Sequence, residues 1–317
     1  MLARRMVTSL GDDFPRMELS SGELAVSLYL PDAERGYYRG TRFDHAGIVR
    51  RVEHAGHRFY APLYPVHDPH RHDSICGPVD EFAMFEPMGF AEAEEGEPFV
   101  KIGVGLLRKG SSDTYRFDGR YPVARFGAWE TEGGGDRVSF TQELRGGRGW
   151  AYRYVKTVRL LPGEPVMALE RHLENRGDRT IDIVQYNHNF TLIDGLPYGP
   201  GYRVMFPFEA ATPRRIQDVG WFRGHAIELD RPLGQRSLWL PVFEGDDPGG
   251  YHAARICNLE SGAAVELNGD APITRMVFWA VERAVCPEPF LRVHLPPGAS
   301  MTWTTRYRFS AGGPASG

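Results

Sequence analysis

Cysteine is scarce in this chain: three in 317 residues, Cys76, Cys257 and Cys286, with no pair spaced C-x-x-C. That excludes a disulfide framework and a zinc ribbon and fits a reducing compartment. Positive charge is not in excess either. With 37 Lys+Arg against 41 Asp+Glu the formal net charge is -4, so neither a phosphate backbone nor an anionic membrane is an expected partner. No run approaches the roughly 18 apolar residues of a membrane span. The opening MLARRMVTSLGDDFPRM has no apolar segment of secretory length before its acidic GDD. The expectation is a soluble cytoplasmic protein that binds neither nucleic acid nor membrane.

A sustained helical period is also missing. In its place, segments alternating apolar and polar residues recur along the chain, among them ELAVSLYL, GIVRRVEH, YRYVKTVRL, TIDIVQY and MTWTTRYRF. There are about fifteen of them, each bounded by Gly, Pro, Asp or Asn, which is the pattern of strands and turns. The most helix-like stretch, PVDEFAMF from Pro78, would give only a turn or two. With 37 Gly, 24 Pro and no fixed repeat, the fold class expected is all-β, a large antiparallel β-sandwich. Nothing resembles an internal linker, so one domain spanning 1–317 is expected, loose at about 1–15 and 311–317. The segment from about Val66 to Glu97 is rich in His, Asp, Pro and Glu and poor in strand pattern. Long ordered loops of that kind tend to be functional.

Polar side chains that a core does not need gather in three places. In HDPHRHD, His67, His70 and His72 with Asp68 and Asp73 invite a metal, but H-x-x-H-x-H matches no ligand spacing on one strand or helix face. The alternatives are a hydrogen-bonded polar loop, or Arg71 or His72 reaching a polyhydroxylated ligand. No metal and no cofactor are expected.

The second place is QYNHNFTLID, at the end of a strand-like run. His188 is either a half-buried structural histidine or a general acid near neutral pH. Asn187 and Asn189 share the strand face opposite to it. The third is C-P-E-P, where Pro287 and Pro289 forbid a helix and pin Glu288 on an extended backbone. Glu288 is either a catalytic base or a loop acid paired with Arg283 or Arg292. Lys101 and Arg125 lie on expected strands and face either a cleft or solvent. Trp129, Trp221 and Trp279 are core residues or stacking surfaces for a ring.

Taken together, Y-N-H-N-F at Tyr186 to Phe190, C-P-E-P-F at Cys286 to Phe290 and P-P-G-A-S-M-T-W-T-T-R-Y-R-F at Pro296 to Phe309 resemble the aldose 1-epimerase, or galactose mutarotase-like, superfamily. The resemblance is carried by the last 130 or so residues. In the N-terminal half, R-G-T-R-F-D and H-D-P-H-R-H-D stand in the region of the family's arginine-asparagine segment and second histidine, without matching them literally. The resemblance implies a mutarotase-type supersandwich with His188 as acid and Glu288 as base. It makes Arg42, Arg71, His72, Asn187, Lys101 and Arg125 candidates for contacts to a small sugar or oligosaccharide. The implied reaction is interconversion of the anomers of a cyclic aldose. Two other readings stay open: a lyase acting on an acidic or oxidised sugar, with Arg42 or Arg71 meeting its carboxylate and His188 or Tyr38 moving the proton, and a noncatalytic carbohydrate-binding protein.

Overall fold

The computed structural model describes residues 14–312. Among these are 23 strands and no helix. Most of the expectation of loose termini falls on residues that lie outside the described ones; Phe14, at the margin, packs its ring edge-on against Tyr29, Tyr37 and His67.

Two antiparallel sheets dominate. An eleven-stranded sheet has Ala264–Gly269 at its centre, followed by Ser300–Ser310 and Val166–Asn175, and a five-stranded sheet runs in the order Leu238–Glu244, Arg275–Val281, Ala284–Leu295, Ile181–His188, Val79–Phe82. Alternation decides how they meet. Leu238, Met276, Phe278, Ala280 and Val285 point from the small sheet into one core with Leu169, Val204, Ile256, Val265 and Phe309 of the large one. Each large side chain among them contributes about 1.5–3 kcal/mol by leaving water.

The same alternation carries charges inward. In YRYVKTVRL, Lys156 has the parity of Tyr154 and Val158; in VMALERHL, Arg171 has that of Leu169 and Leu173. Both are fully buried between the sheets and meet Asp80, Lys156 at 3.0 Å and Arg171 at 2.9 Å, while Asp44 closes on Lys156 at 3.2 Å. Gln185 and Asn187 add amide hydrogen bonds to the Asp80 carboxylate at 2.8 and 2.6 Å. Burial alone would raise the Asp80 carboxyl, but Arg171 and Lys156 outweigh it and hold it below the usual range. Asp44 lacks that second cation, and burial pushes it up to about 6 against the pull of Lys156. Two acids and two bases make the cluster neutral in sum, as burial demands.

PVDEFAMF is not a helical turn. Val79–Phe82 is a buried edge strand of the small sheet, paired from Gln185↔Phe82 to His188↔Val79, and tertiary pairing overrides whatever local preference Asp and Glu have. Gly77 sets its entry. With φ +68° and Val49's carbonyl 2.0 Å from where a Cβ would be, only glycine fits. The segment from Val66 to Glu97 is therefore loop on either side of a strand, and that strand presents Asp80 to the core and Glu81 to the opposite face.

Candidate active site

The strands Ile181–His188 and Ala284–Leu295 pair from Ile181↔Leu295 to Tyr186↔Phe290. Next come Pro289 and Pro287, which have no N–H to donate, and the ladder stops. A single bridge, Thr191↔Val285, resumes it. Between them the Asn189 amide donates to the Pro287 carbonyl. The prolines thus do what the sequence suggests in keeping the backbone extended, but they do so within a twelve-residue strand rather than a loop.

Asn187 and Asn189 both face inward, where Thr305 and Tyr307 donate to their carbonyl oxygens at 3.4 and 2.8 Å. Tyr186 and His188 face outward, on the side of Cys286, Glu288 and Phe290. There the imidazole Nε2 of His188 lies 3.1 Å from Oε1 of Glu288. The pair is deeply set, at 4% and 5% exposure. Phe190, at an uncommon φ of +36°, lays its ring flat on the imidazole, centroids 3.8 Å apart. Trp279 and Phe43 meet the imidazole edge-on at 5.0 and 5.7 Å. Nδ1 of His188 is buried and makes no hydrogen bond among the described residues, a cost of about 1–3 kcal/mol unless a ligand meets it.

Beside the pair stands a second cluster. Arg42 donates from Nε to Glu81 (2.7 Å) and from a terminal nitrogen to the Tyr186 hydroxyl (2.7 Å), and that hydroxyl donates to Glu81 (2.6 Å). The guanidinium is held between the rings of Phe43 and Phe117, 4.4 Å from each centroid. Lys101, fully buried, reaches Glu81 at 3.5 Å. Burial, against the pull of Glu81, brings its ammonium down to about 8.

The electrostatics of the pair follow from its depth. Burial, and secondarily Arg42, hold the His188 imidazole well below its ordinary range. Burial pushes the Glu288 carboxyl up to about 8, against the attraction of Arg42 and Arg275 and with Glu81 adding to the rise. Near neutral pH the two groups share one proton, and neither carries charge.

A stability effect follows. The Glu288 carboxyl is raised from an ordinary 4.5 to about 8. Below the lower value both folded and unfolded chains hold the proton. Between the two, only the folded chain holds it, so the Glu288 contribution to stability falls with rising pH through this window, by about 1.4 kcal/mol for each pH unit crossed, and levels off above about 8. The depressed His188 imidazole contributes in the opposite sense below its ordinary 6.5, and does so in wild type and variant alike. Thermal unfolding from pH 5 to 9 should show the wild type losing ground to Glu288→Gln by about 2–5 kcal/mol in all. Parallel pH curves for the two proteins would contradict the assignment.

Of the residues expected at the site, the structure brings together His188, Glu288, Arg42 and Lys101. Asn187 is not with them: it faces the core and is held by Asp80. Arg71 stacks on Tyr64 at 3.7 Å and pairs with Asp73 at 2.8 Å. Arg125 is exposed and donates to the Arg145 carbonyl. His72 lines a neighbouring cleft. His67 is bound to the Tyr37 carbonyl and to Ser74, and among the described residues no group of three or more His, Cys, Asp or Glu is arranged to hold a metal ion. Of the tryptophans, Trp279 touches His188, Trp129 packs on the core, and Trp221 lies under Arg215 on the outer part of the large sheet. Glu81 and Tyr186 stand beside the pair through Arg42 and are absent from the residues expected at the site. Their signal was parity: Tyr186 shares the face of His188, and an acid beside Phe82 in a Pro-bounded apolar run needs a buried partner.

No family model matches the sequence, and no curated protein matches it. Solved structures do. The Slr1438 protein of Synechocystis sp. PCC 6803 superposes with a TM-score of 0.57 at 15% identity over 95% of this chain and 97% of its own. A galactose mutarotase related enzyme of Lactobacillus acidophilus gives 0.56 at 11% identity over 94% and 98%. The GalM/aldose epimerase homologue of C. elegans gives 0.52 at 13% over 94% and 99%. At these identities the likeness concerns the backbone, and it spans nearly the whole of each chain: the protein has the galactose mutarotase-like all-β sandwich fold.

Proposed function

We propose that the protein is a carbohydrate-active enzyme that interconverts the anomers of an aldose, or epimerises a related sugar, with His188 and Glu288 passing the proton. The observation that carries this reading is the 3.1 Å contact between the two groups on one face of the small sheet. Ring opening requires a base at the C1 hydroxyl and an acid at the ring oxygen, and these two oxygens are bonded to the same carbon. A base and an acid in mutual contact match that demand.

The proton count agrees. With Glu288 ionised and His188 protonated, the carboxylate takes the C1 hydroxyl proton as imidazolium delivers one to the ring oxygen, and the ring opens to the aldehyde. Glu288 is then protonated and His188 neutral, the state burial favours in the free protein. After rotation about C1–C2, His188 removes the proton from the C5 hydroxyl oxygen and Glu288 returns one to the carbonyl oxygen, closing the ring on the other face. Net charge on the pair is unchanged throughout, so a buried, weakly solvated site suits it.

Arg42 serves as the neighbouring cation, fixed by Glu81 and Tyr186 rather than by substrate. An eliminase needs a free cation at the carbon next to a carboxylate; Arg42 is paired with Glu81 and Arg71 with Asp73, which favours the epimerase reading. Entry of a sugar requires the aromatic rim to open, with Trp279 and Phe117 its part-exposed members. Exchange NMR on equilibrated aldoses tests the reading: cross-peaks between α and β anomers should strengthen with enzyme, and no sugar should gain the unsaturation that an eliminase leaves. Formation of an unsaturated uronate without anomer exchange would replace this function with the lyase.

A further inference from the structure

Beyond Phe117 and the Arg42 cluster lies a cleft of about 430 Å³ whose lining includes Arg39, Thr41, His70, His72, Arg120 and Phe126 and no carboxylate. Its cations are incompletely answered. Arg120 meets Asp68 at 3.4 Å across the outer edge, and Asp118 is taken by Arg116 at 3.0 Å. Arg39 gives a terminal nitrogen to the Glu34 carbonyl, has no carboxylate partner among the described residues, and keeps its Nε buried without a hydrogen bond. Phe117 joins this cleft to the Arg42 cluster beside the pair: its ring lies 6.4 Å from the His72 ring and 4.4 Å from the Arg42 guanidinium. Arginine forks beside imidazoles, with an aromatic wall and acids only at the margin, Asp68 on Arg120 and Asp73 3.7 Å from His72, are the chemistry that recognises a carboxylate or a phosphate.

We propose that this cleft is a subsite for the anionic group, carboxylate or phosphate ester, of an acidic sugar derivative whose ring is handled at His188 and Glu288. The inference rests on the sugar reading for the ring and on the cleft alone for the anion. A negatively charged substituent seated here lies away from the reacting carbon, so it selects the substrate without disturbing the neutral proton-sharing pair.

Calorimetric titration at low ionic strength with galacturonate, a hexose phosphate, neutral galactose and inorganic phosphate tests it. At least one acidic sugar should bind ten-fold or more tightly than galactose, and which one does names the group. That preference should fall with added salt and drop ten-fold or more in Arg39→Ala/Arg120→Ala, while Glu288→Gln keeps it. Arg120→Glu, a change on a largely exposed side chain, provides the same comparison should the loss of Arg39 disturb folding. Inorganic phosphate binding that is lost in the double variant, with no sugar bound, would support the anion subsite and count against the sugar reading. Equal affinity for acidic and neutral sugars without phosphate binding, or full affinity for the acidic probe in both variants, would overturn the inference.

Discussion

Glu288→Gln is expected to lower the rate of anomer exchange by about 10²–10⁴-fold, the range that a positioned general acid or base supplies, while the protein stays folded. Glutamine keeps the shape of the side chain and can still meet His188 Nε2 across the same 3.1 Å contact, so the imidazole keeps its place against Phe190 and Trp279. What it loses is the proton. In the free protein the carboxyl is protonated up to about 8, and the amide imitates that neutral form without being able to release it. His188→Asn should cause a comparable loss. The double variant should be little worse than either single, because a base and an acid that act in the same step work as a unit. A loss below ten-fold in both singles would remove the pair from the chemistry.

The largest effect on stability is expected at Asp80. Its carboxylate answers two buried cations, Lys156 and Arg171, and two amides, Gln185 and Asn187. Asp80→Ala leaves Asp44 as the only acid in the cluster against both cations. Breaking a buried pair from one side costs about 3–5 kcal/mol, a large part of the roughly 5–15 kcal/mol that holds a typical protein folded. Urea unfolding should show the midpoint falling accordingly, and Asp80→Ala/Arg171→Met should recover part of the loss by removing one orphaned charge. The site should suffer too. Asp80 anchors from behind the strand on which Glu81 holds Arg42, so residual activity should fall further than the folded fraction does. A loss under about 1 kcal/mol would mean that water or side-chain movement satisfies the two cations, and that the cluster is not what fixes this strand.

Much of this arrangement is readable in the sequence. Period-2 alternation and turn residues identify most of the strands, and the parity of QYNHN correctly separates Asn187 and Asn189 from His188. Prolines on both sides of Glu288 correctly imply an extended backbone. What alternation cannot convey is pairing partners. Val79–Phe82 is short, acidic at its centre and unremarkable locally; only its place beside Ile181–His188 makes it a strand and turns Asp80 and Glu81 toward opposite faces. The twelve residues of Ala284–Leu295 were obscured by the same prolines that make the site, since proline in a central strand argues against a strand. Here the ladder to Ile181–His188 is interrupted beside the pair, while pairing to Arg275–Val281 continues on the other edge and keeps the segment a strand. Lys156 and Arg171 went unmarked in the sequence, although their parity with apolar neighbours puts them in core register, where buried acids must answer them. Arg125 and Arg71 could not be placed, because their exposure depends on which loops cover which sheet edge.

The proposed function requires that a single sugar ring meet both His188 and Glu288. The most direct measurement is a crystal structure of Glu288→Gln with a bound aldose. The prediction is a ring seated on the outward face of the small sheet, its C1 hydroxyl within hydrogen-bond reach of residue 288 and its ring oxygen within reach of the His188 imidazole, with Trp279 or Phe117 displaced from the rim. A sugar bound with C1 remote from both residues, while they keep their 3.1 Å contact undisturbed, would contradict it.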